Sequence, residues 1–256
     1  MDSAGNSAWP EMFPIEKIHE LEKIVGPRHF SAQMMLEYVD EEKICLDPGA
    51  LHFYDDDFDI RYARIGEHNI TGFCLYWDPS LGHNKSDGSV CVLIYRDDKN
   101  KNAFVHDIAY MMTDEEDIHP LATQCEYVLK FMQKHRTYRI GIEINGIGNA
   151  LPEIIHRVAD NYQIPINVIQ ISNHVKKETR ILNTFEPMLS SGRLFMHNRI
   201  KQTMLLSEML AFSPIGSMEH DDGLDAVAGA LSMMPSPIRP LVNNVSLIKA
   251  NTEFKI

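Results

Sequence analysis

Three strand-like segments follow one another with no room for a helix between them, and this run most constrains the fold. Residues 70–77, 89–95 and 103–111 are apolar and rich in β-branched and aromatic side chains. Their connections are short, so we expect antiparallel neighbours. From residue 139 onward strands alternate with helices, which is typical of βαβ units. The pattern predicts an α/β fold, a mixed sheet flanked by helices on both faces.

Helices are predicted where apolar residues recur three and four positions apart. They cover residues 14–25, 31–38, 114–134, 149–162, 173–189 and 198–211, and a last one begins at 221. Strands are predicted at 139–144, 166–171 and 193–197, and residues 47–66 are predicted to be irregular. We divide the chain into an arm or linker (1–66), a core domain (67–234) and a C-terminal tail (235–256).

The net charge of −12 argues against a protein that coats nucleic acid non-specifically. Basic residues that could contact a nucleic acid form three clusters, each expected to be solvated surface rather than a binding patch. The clusters are Lys130, Lys134, His135, Arg136 and Arg139; Lys176, Lys177 and Arg180; and Arg193, Arg199 and Lys201. No segment has the length and apolarity of a membrane span, and four widely spaced cysteines predict reduced thiols in an intracellular protein.

Acidic residues stand at three places that a sheet of this kind could bring together. Asp78 ends the first strand, Glu143 lies in the apolar strand RIGIEI, and Asp222 and Asp225 begin the last helix. A carboxylate in a buried strand costs several kcal/mol unless it is paired or binds a metal. No lysine or arginine is obviously placed to pair with Glu143. A divalent ion shared by Asp78, Glu143 and Asp222 would satisfy these acids, and Mg²⁺ prefers such oxygen ligands. The alternative is an acidic N-cap on a buried helix.

These segments resemble the nuclease domain of the large terminase subunit of tailed bacteriophages. Residues 78–82 (DPSLG), with Asp87 shortly after, resemble its first motif. Residues 142–148 (IEINGIG) resemble the second motif, and 220–228 (HDDGLDAVA) the third. Residues 26–38 are similar to the segment that joins the terminase motor to the nuclease.

The resemblance implies an RNase H-like fold and a metal-dependent endonuclease that cuts concatemeric viral DNA during packaging. It implies two Mg²⁺ or Mn²⁺ ions, with Asp78, Glu143 and Asp222 as catalytic metal ligands. Asp78 would bridge both ions, Glu143 and Asp222 would each complete one coordination sphere, and low sequence specificity is expected. Asp225 would be a further metal ligand or orient one, and the possible auxiliary residues are Asp87, Asp221 and His220.

The partners that the resemblance implies are double-stranded DNA, the terminase ATPase domain, the small terminase subunit and the portal protein. The expected location is the host cytoplasm, outside the mature virion, with no membrane contact. The P-loop pattern of the packaging ATPase does not occur in the chain, so we expect an excised nuclease domain or a stand-alone one from a split gene.

Two other functions remain open from the sequence. The first is a non-catalytic packaging or portal-docking module whose acids are structural. The second, less favoured, is a nucleotide-binding α/β enzyme, because Gly146 and Gly148 follow a strand and precede a helix. The third glycine of that fingerprint is missing. Metal-dependent cleavage of DNA would separate both alternatives from a nuclease.

Overall fold

The computed structural model describes residues 7, 9–25, 30, 45–80, 88–112, 117–214 and 221–241. Its α-helices are α1 (Ile15–Val25), α2 (Pro120–His135), α3 (Leu151–Asn161), α4 (Lys177–Ser190), α5 (Leu205–Ala211) and α6 (Asp222–Ser232). Its strands are β1 (His52–Tyr54), β2 (Arg64–Ile65), β3 (His68–Asn69), β4 (Gly72–Asp78), β5 (Ser89–Asp97), β6 (Asn102–Met111), β7 (Arg139–Glu143), β8 (Asn167–Ile171), β9 (Leu194–His197) and β10 (Ser236–Pro237).

One mixed sheet of eight strands forms the centre of the molecule, in the order β1-β9-β6-β5-β4-β7-β8, with β10 added beside β4. The three strands β4, β5 and β6 are antiparallel neighbours, as their short connections predicted. The strands β7 and β8 join parallel to β4, and β9 joins parallel to β6. The predicted α/β fold with a mixed sheet is therefore confirmed.

Helices cover both faces of this sheet. Successive side chains of each buried strand point to opposite faces, so apolar side chains on both faces need a helix to cover them. Leu75 and Trp77 of β4 pack into the core beneath α2 and α3. Cys74 and Tyr76 point the other way and pack with residues of α4, α5 and α6. In the described residues, no helix is long and apolar enough to cross a membrane, and none of the four cysteines forms a disulfide.

The secondary structure differs from the prediction in several places. Residues 52–54, predicted to be irregular, form β1, which is short and pairs with the distant strand β9. The helix expected over 198–211 is divided at Thr203, whose extended backbone separates a 3-10 turn from α5. Residues 117–119 of the helix expected over 114–134 are not helical and α2 begins at Pro120, since the residue before a proline avoids helical geometry. Residues 114–116 lie outside the described residues. The helix predicted over 31–38 lies outside the described residues.

Small residues let α6 approach the sheet closely, and Gly229 is the tightest contact with β4. A β-carbon at Gly229 would collide with the Tyr76 ring, 2.6 Å from its Cε1 atom and 2.7 Å from its Oη. The Tyr76 hydroxyl in turn donates a hydrogen bond to Glu143. The glycine therefore allows the sheet, the helix and the acid to lie together.

Gly229→Ala is expected to lower the free energy of unfolding by about 2 kcal/mol, because overpacking a core costs about 1–3 kcal/mol. Helix propensity alone predicts the opposite sign, a gain of about 1 kcal/mol. Urea unfolding measures the change, with Ser232→Ala at an exposed position of the same helix as the control. A Gly229→Ala protein more stable than the parent would show that α6 does not press on Tyr76.

Candidate active site

The sheet brings the three predicted acidic positions together at one edge. Asp78 ends β4 and Glu143 ends β7, and these two strands are parallel neighbours with Trp77 opposite Ile142. Helix α6 starts at the same edge and carries Asp222 and Asp225 in its first turn. Two of the auxiliary candidates, Asp87 and His220, lie outside the described residues.

Glu143 is buried, and polar side chains hold both of its carboxylate oxygens. Its Oε2 accepts hydrogen bonds from Tyr76 Oη at 2.5 Å and from Asn173 Nδ2 at 2.7 Å. Its Oε1 accepts from Asn145 Nδ2 at 3.0 Å. Arg180 Nη1 lies 3.5 Å from Oε2, so the expectation that no arginine is placed to pair with Glu143 is wrong.

Two cations on one face of α4 neutralise the acids of α6. Arg180 donates from Nε at 2.8 Å and from Nη2 at 2.5 Å to Asp225 Oδ1. Lys177 Nζ lies 2.6 Å from Asp221 Oδ1, 3.2 Å from Asp222 Oδ1 and 3.9 Å from Asp225 Oδ2. Burial works against the charge of Lys177, but the three carboxylates outweigh it and raise the lysine pKa. The prediction of a solvated surface is wrong for this pair.

The acids of α6 are not simple helix caps. Asp221 stands at the N-cap position, yet its side chain makes no capping hydrogen bond. Asp222 Oδ2 accepts from the backbone N–H of Gly88 at 2.7 Å, which ties the helix to the start of β5. The N–H of Leu224 is capped instead by the buried carboxylate of Glu208, at 3.0 Å. The alternative of an acidic N-cap therefore does not describe Asp221 and Asp222.

Asp78 differs from the other acids in its electrostatic surroundings. Burial, followed by the nearby carboxylates of Asp225 and Glu143, raises its pKa well above the ordinary value. Lys177 and Arg180 oppose this shift without cancelling it. In the described part of the chain Asp78 forms no ion pair, whereas the acids of α6 do. The site thus contains a carboxyl group whose ionised form is unfavourable unless a further cation lies beside it.

The acidic side chains of the site suggest a divalent metal ion, and their donor atoms determine which ions they suit. Among the residues described, no three histidine, cysteine, aspartate or glutamate side chains are arranged to share one metal ion. The described acids nevertheless offer only oxygen atoms, which suit Mg²⁺ and Mn²⁺. Asp78 supplies the uncompensated charge, and Lys177 competes for Asp222. The donor atoms therefore suit a divalent ion in their chemistry, although the described side chains are not arranged as a ready three-ligand site.

Sequence reasoning did not assign a role to Tyr76, Asn145 or Asn173, which orient Glu143. The sequence position of each of these three residues did indicate that it could lie near the acids. Tyr76 lies two residues before Asp78 and so shares its face of the sheet. Glu143 and Ile171 lie opposite each other on the adjacent parallel strands β7 and β8. Asn145 comes two residues after Glu143, and Asn173 comes two residues after Ile171. Polar residues after neighbouring parallel strands meet at the same edge.

A comparison with protein-family models finds one match, described as Terminase Bacteriophage T7, Ribonuclease H-like domain, over residues 84–194. Residues 84–194 of this chain are therefore similar to a terminase RNase H-like domain. The matched residues include Glu143, Lys177 and Arg180, whereas Asp78 and Asp222 lie on either side of them. The resemblance stated from the motifs is therefore confirmed.

Solved structures with a similar fold include the P22 large terminase nuclease domain. It is 11% identical, with a TM-score of 0.50, over 73% of this chain and 89% of that one. A human cytomegalovirus terminase nuclease domain is 15% identical, with a TM-score of 0.48, over 68% of this chain and 89% of that one. Because the identity is only 11%, the similarity to the P22 domain shows a shared RNase H-like fold and no more than that. A sequence comparison with curated proteins returns no significant match.

Proposed function

We propose that this terminase domain is a metal-dependent DNA endonuclease that cuts concatemeric viral DNA during genome packaging. The observation that carries the proposal is Asp78, a carboxylate without a cationic partner in the described residues, held beside Glu143 and Asp225. An uncompensated charge of this kind is costly unless it binds a cation. The family match adds that this fold occurs in terminases.

Asp78, Glu143 and Asp222 would hold two Mg²⁺ or Mn²⁺ ions. When bound, such ions activate a water molecule and stabilise the leaving oxygen of a phosphodiester. The chain's own groups position the ligands: Tyr76, Asn145 and Asn173 fix Glu143. Because these donors are placed before any ion arrives, Glu143 needs no reorganisation to act as a ligand.

Asp222 and Asp225 have different proposed roles. The N–H of Gly88 orients Asp222 from the β5 side, and this acid, which now accepts from Lys177, would be a ligand of a bound metal ion. Asp225 has one oxygen bound by Arg180, so it orients a neighbouring group with the other. Asp221, the nearest contact of Lys177, holds the displaced amino group beside the site.

The family also suggests the setting of the reaction. We propose double-stranded DNA as the substrate, cut with low sequence specificity, and the terminase ATPase domain, small terminase subunit and portal protein as partners. The host cytoplasm is the proposed location. We keep residues 67–234 as the proposed nuclease unit, to whose sheet the proposed arm (1–66) adds β1 and the proposed tail (235–256) adds β10.

The purified chain is expected to nick or linearise plasmid DNA with Mg²⁺ or Mn²⁺ and to be inactive in EDTA. Asp222→Ala should lose this activity, because it removes a proposed metal ligand, the carboxylate that the N–H of Gly88 orients. Asp160→Ala, at an exposed position near the end of α3, is the matched control and should cut normally. Circular dichroism confirms that each variant is folded. Equal cutting by Asp222→Ala would remove Asp222 from the site.

A non-catalytic packaging or portal-docking module is the second candidate, and the ion pairs favour it. Arg180 and Lys177 already neutralise the acids of α6, which is how structural acids behave. A folded protein that cuts no DNA with either ion, alone or with its motor partner, would support this module. Binding of portal protein that survives Asp78→Asn would then support it directly.

A further inference from the structure

An open groove runs beside the outer edge of β6. The strand β9 pairs only with Ala103–Val105, so within the described part of the chain the last residues of β6 have no strand partner on that side. Helix α2 lies along this edge and leaves a cavity of about 460 Å³. We name it the β6 groove, lined by Tyr110, Met111 and Met112 and by Tyr127, Lys130 and Lys134 of α2.

The α2 wall of the groove combines aromatic and basic side chains. Its residues Tyr127, Lys130, Phe131 and Lys134 are three or four positions apart, so they share one face of the helix. Lys130 Nζ lies 5.5 Å from the centre of the Tyr127 ring, and no carboxylate pairs with it in the described residues. Lys134 contacts Asp107 at 2.6 Å, yet its side chain is 57% exposed.

The opposite wall is apolar and reaches into solvent. Met112 is 73% exposed and Tyr127, across from it, is 49% exposed. Large apolar side chains that stay this exposed beside lysines suit a ligand with both flat rings and negative charge. An unpaired stretch of nucleic acid has this chemistry, because aromatic groups stack on its bases while lysines bind its phosphates.

One residue, Tyr110, connects the β6 groove, which it lines, with the start of α6 in the candidate active site. Asp78, Val90 and Tyr110 are in register across β4, β5 and β6. At about 4.8 Å per strand, Tyr110 lies roughly 10 Å from Asp78. A β-carbon on Gly223, the residue after Asp222, would collide with the Tyr110 hydroxyl. Tyr110 therefore lies between the groove and the start of α6, at the open edge of β6.

We propose that the β6 groove binds the DNA strand next to the phosphate that is cut, with Lys130 and Lys134 on its phosphates and Tyr127 against an unpaired base. This inference rests on the proposed nuclease function and names its substrate-contact surface. The molecule carries a net charge of −12, and its acids repel a phosphate chain. Cations beside the acids would help to hold such a strand, and the groove provides Lys130 and Lys134.

The test measures binding of a fluorescent 12-nucleotide single strand and of a duplex by anisotropy, with EDTA or Ca²⁺ replacing Mg²⁺. Lys130→Glu should weaken the binding of both oligonucleotides about tenfold. It should also reduce the slope of log affinity against log salt concentration by the amount expected for roughly one phosphate contact. Tyr127→Ala should weaken the single strand about tenfold and the duplex less. In cleavage assays Lys130→Glu should raise KM with kcat nearly unchanged.

Matched controls exist at exposed positions in two turns. Lys99 is exposed at the other end of the β5–β6 hairpin, roughly 30 Å from the groove at 3.3 Å per residue. Lys99→Glu makes the same charge change and should alter binding less than twofold. Tyr62, 51% exposed, provides the control Tyr62→Ala for the aromatic change.

Each outcome separates this inference from the proposed function. If the parent cuts DNA but Lys130→Glu behaves like Lys99→Glu, the groove is overturned and the nuclease stands. Tyr127→Ala behaving like Tyr62→Ala would overturn the base contact, leaving the groove to a protein partner. If the parent binds DNA without cutting it and Lys130→Glu loses binding, the groove stands and the nuclease fails. A parent that binds no DNA under either condition overturns the groove.

Discussion

Replacing Asp78 with asparagine is expected to abolish DNA cleavage while making the folded protein more stable. The change keeps the size of the side chain and removes the charge that would hold a divalent ion. Electrostatic stabilisation by a metal contributes several kcal/mol to the transition state, so the rate should fall by at least about 10³-fold. A variant that cuts normally would remove Asp78 from the active site.

The gain in stability follows from the surroundings of Asp78. Burial and the carboxylates of Asp225 and Glu143 make its ionised form unfavourable, as the raised pKa shows. A neutral amide removes this repulsion and can donate a hydrogen bond to a neighbouring acid. In EDTA at neutral pH we expect the free energy of unfolding to rise by about 1 kcal/mol.

Urea unfolding and plasmid cleavage on the same preparations test both halves of this expectation. Asp160→Asn makes the same change at an exposed position of α3 and should alter neither property. Lost cleavage together with lost stability would mean that Asp78 has a structural partner, and the charge argument would be wrong. Higher stability with lost cleavage is typical of a site arranged for a ligand rather than for its own stability.

The sequence predicted the elements whose side chains repeat regularly. The strands β4, β5 and β6 were found because buried strands are apolar along their whole length, and α3 and α6 because their apolar residues recur at helical spacing. The three-residue strand β1 carries no detectable period, and it exists because β9 supplies its hydrogen bonds. Such an element is set by tertiary contact, which sequence spacing does not encode.

The acids of the candidate site could be predicted from the sequence, whereas the cations that pair with them could not. Asp78, Glu143 and Asp222 were recognised because each stands at the end of a strand or the start of a helix. Arg180 and Lys177 were assigned to solvent because helical spacing shows that they share a face but not what that face contacts. The described structure turns this face toward α6, and the ion pairs then follow from proximity. The catalytic role of the acids stays a prediction.

Arg180→Met is expected to lower the free energy of unfolding by about 3–5 kcal/mol, because it leaves buried carboxylates without their cation. Asp225 is 5% exposed and Glu143 is 8% exposed, so water cannot replace the guanidinium. Methionine keeps much of the apolar stem of arginine, which limits the loss of packing. Urea unfolding at neutral pH in EDTA measures the change.

Arg157→Met is the control for losing an arginine from an ion pair. Arg157 and Glu153 pair at 2.8 Å on α3, with side chains 75% and 80% exposed. Pairs of this kind contribute about 0.3–0.5 kcal/mol, so the control should differ little from the parent. An Arg180→Met cost as small as that of Arg157→Met would mean that water or another cation reaches Asp225.

Arg180→Lys keeps the folding test usable if Arg180→Met does not fold. Lysine retains the charge but cannot donate two hydrogen bonds to Asp225 Oδ1, as Arg180 does from Nε and Nη2. We therefore expect an intermediate loss, smaller than that of methionine. A loss equal to that of Arg180→Met would mean that geometry, not charge, carries the stabilisation.

The double variant Arg180→Met with Asp225→Leu separates charge from packing. If Arg180 stabilises the fold by neutralising Asp225, removing both charges should restore part of the stability, since apolar replacement of a buried pair is often neutral. The double variant should then lose less than the sum of the two single changes, by about 1–3 kcal/mol. Additive losses would show that Arg180 acts through its packing instead. In that case Asp225 would be free of Arg180 energetically and could serve as a full metal ligand.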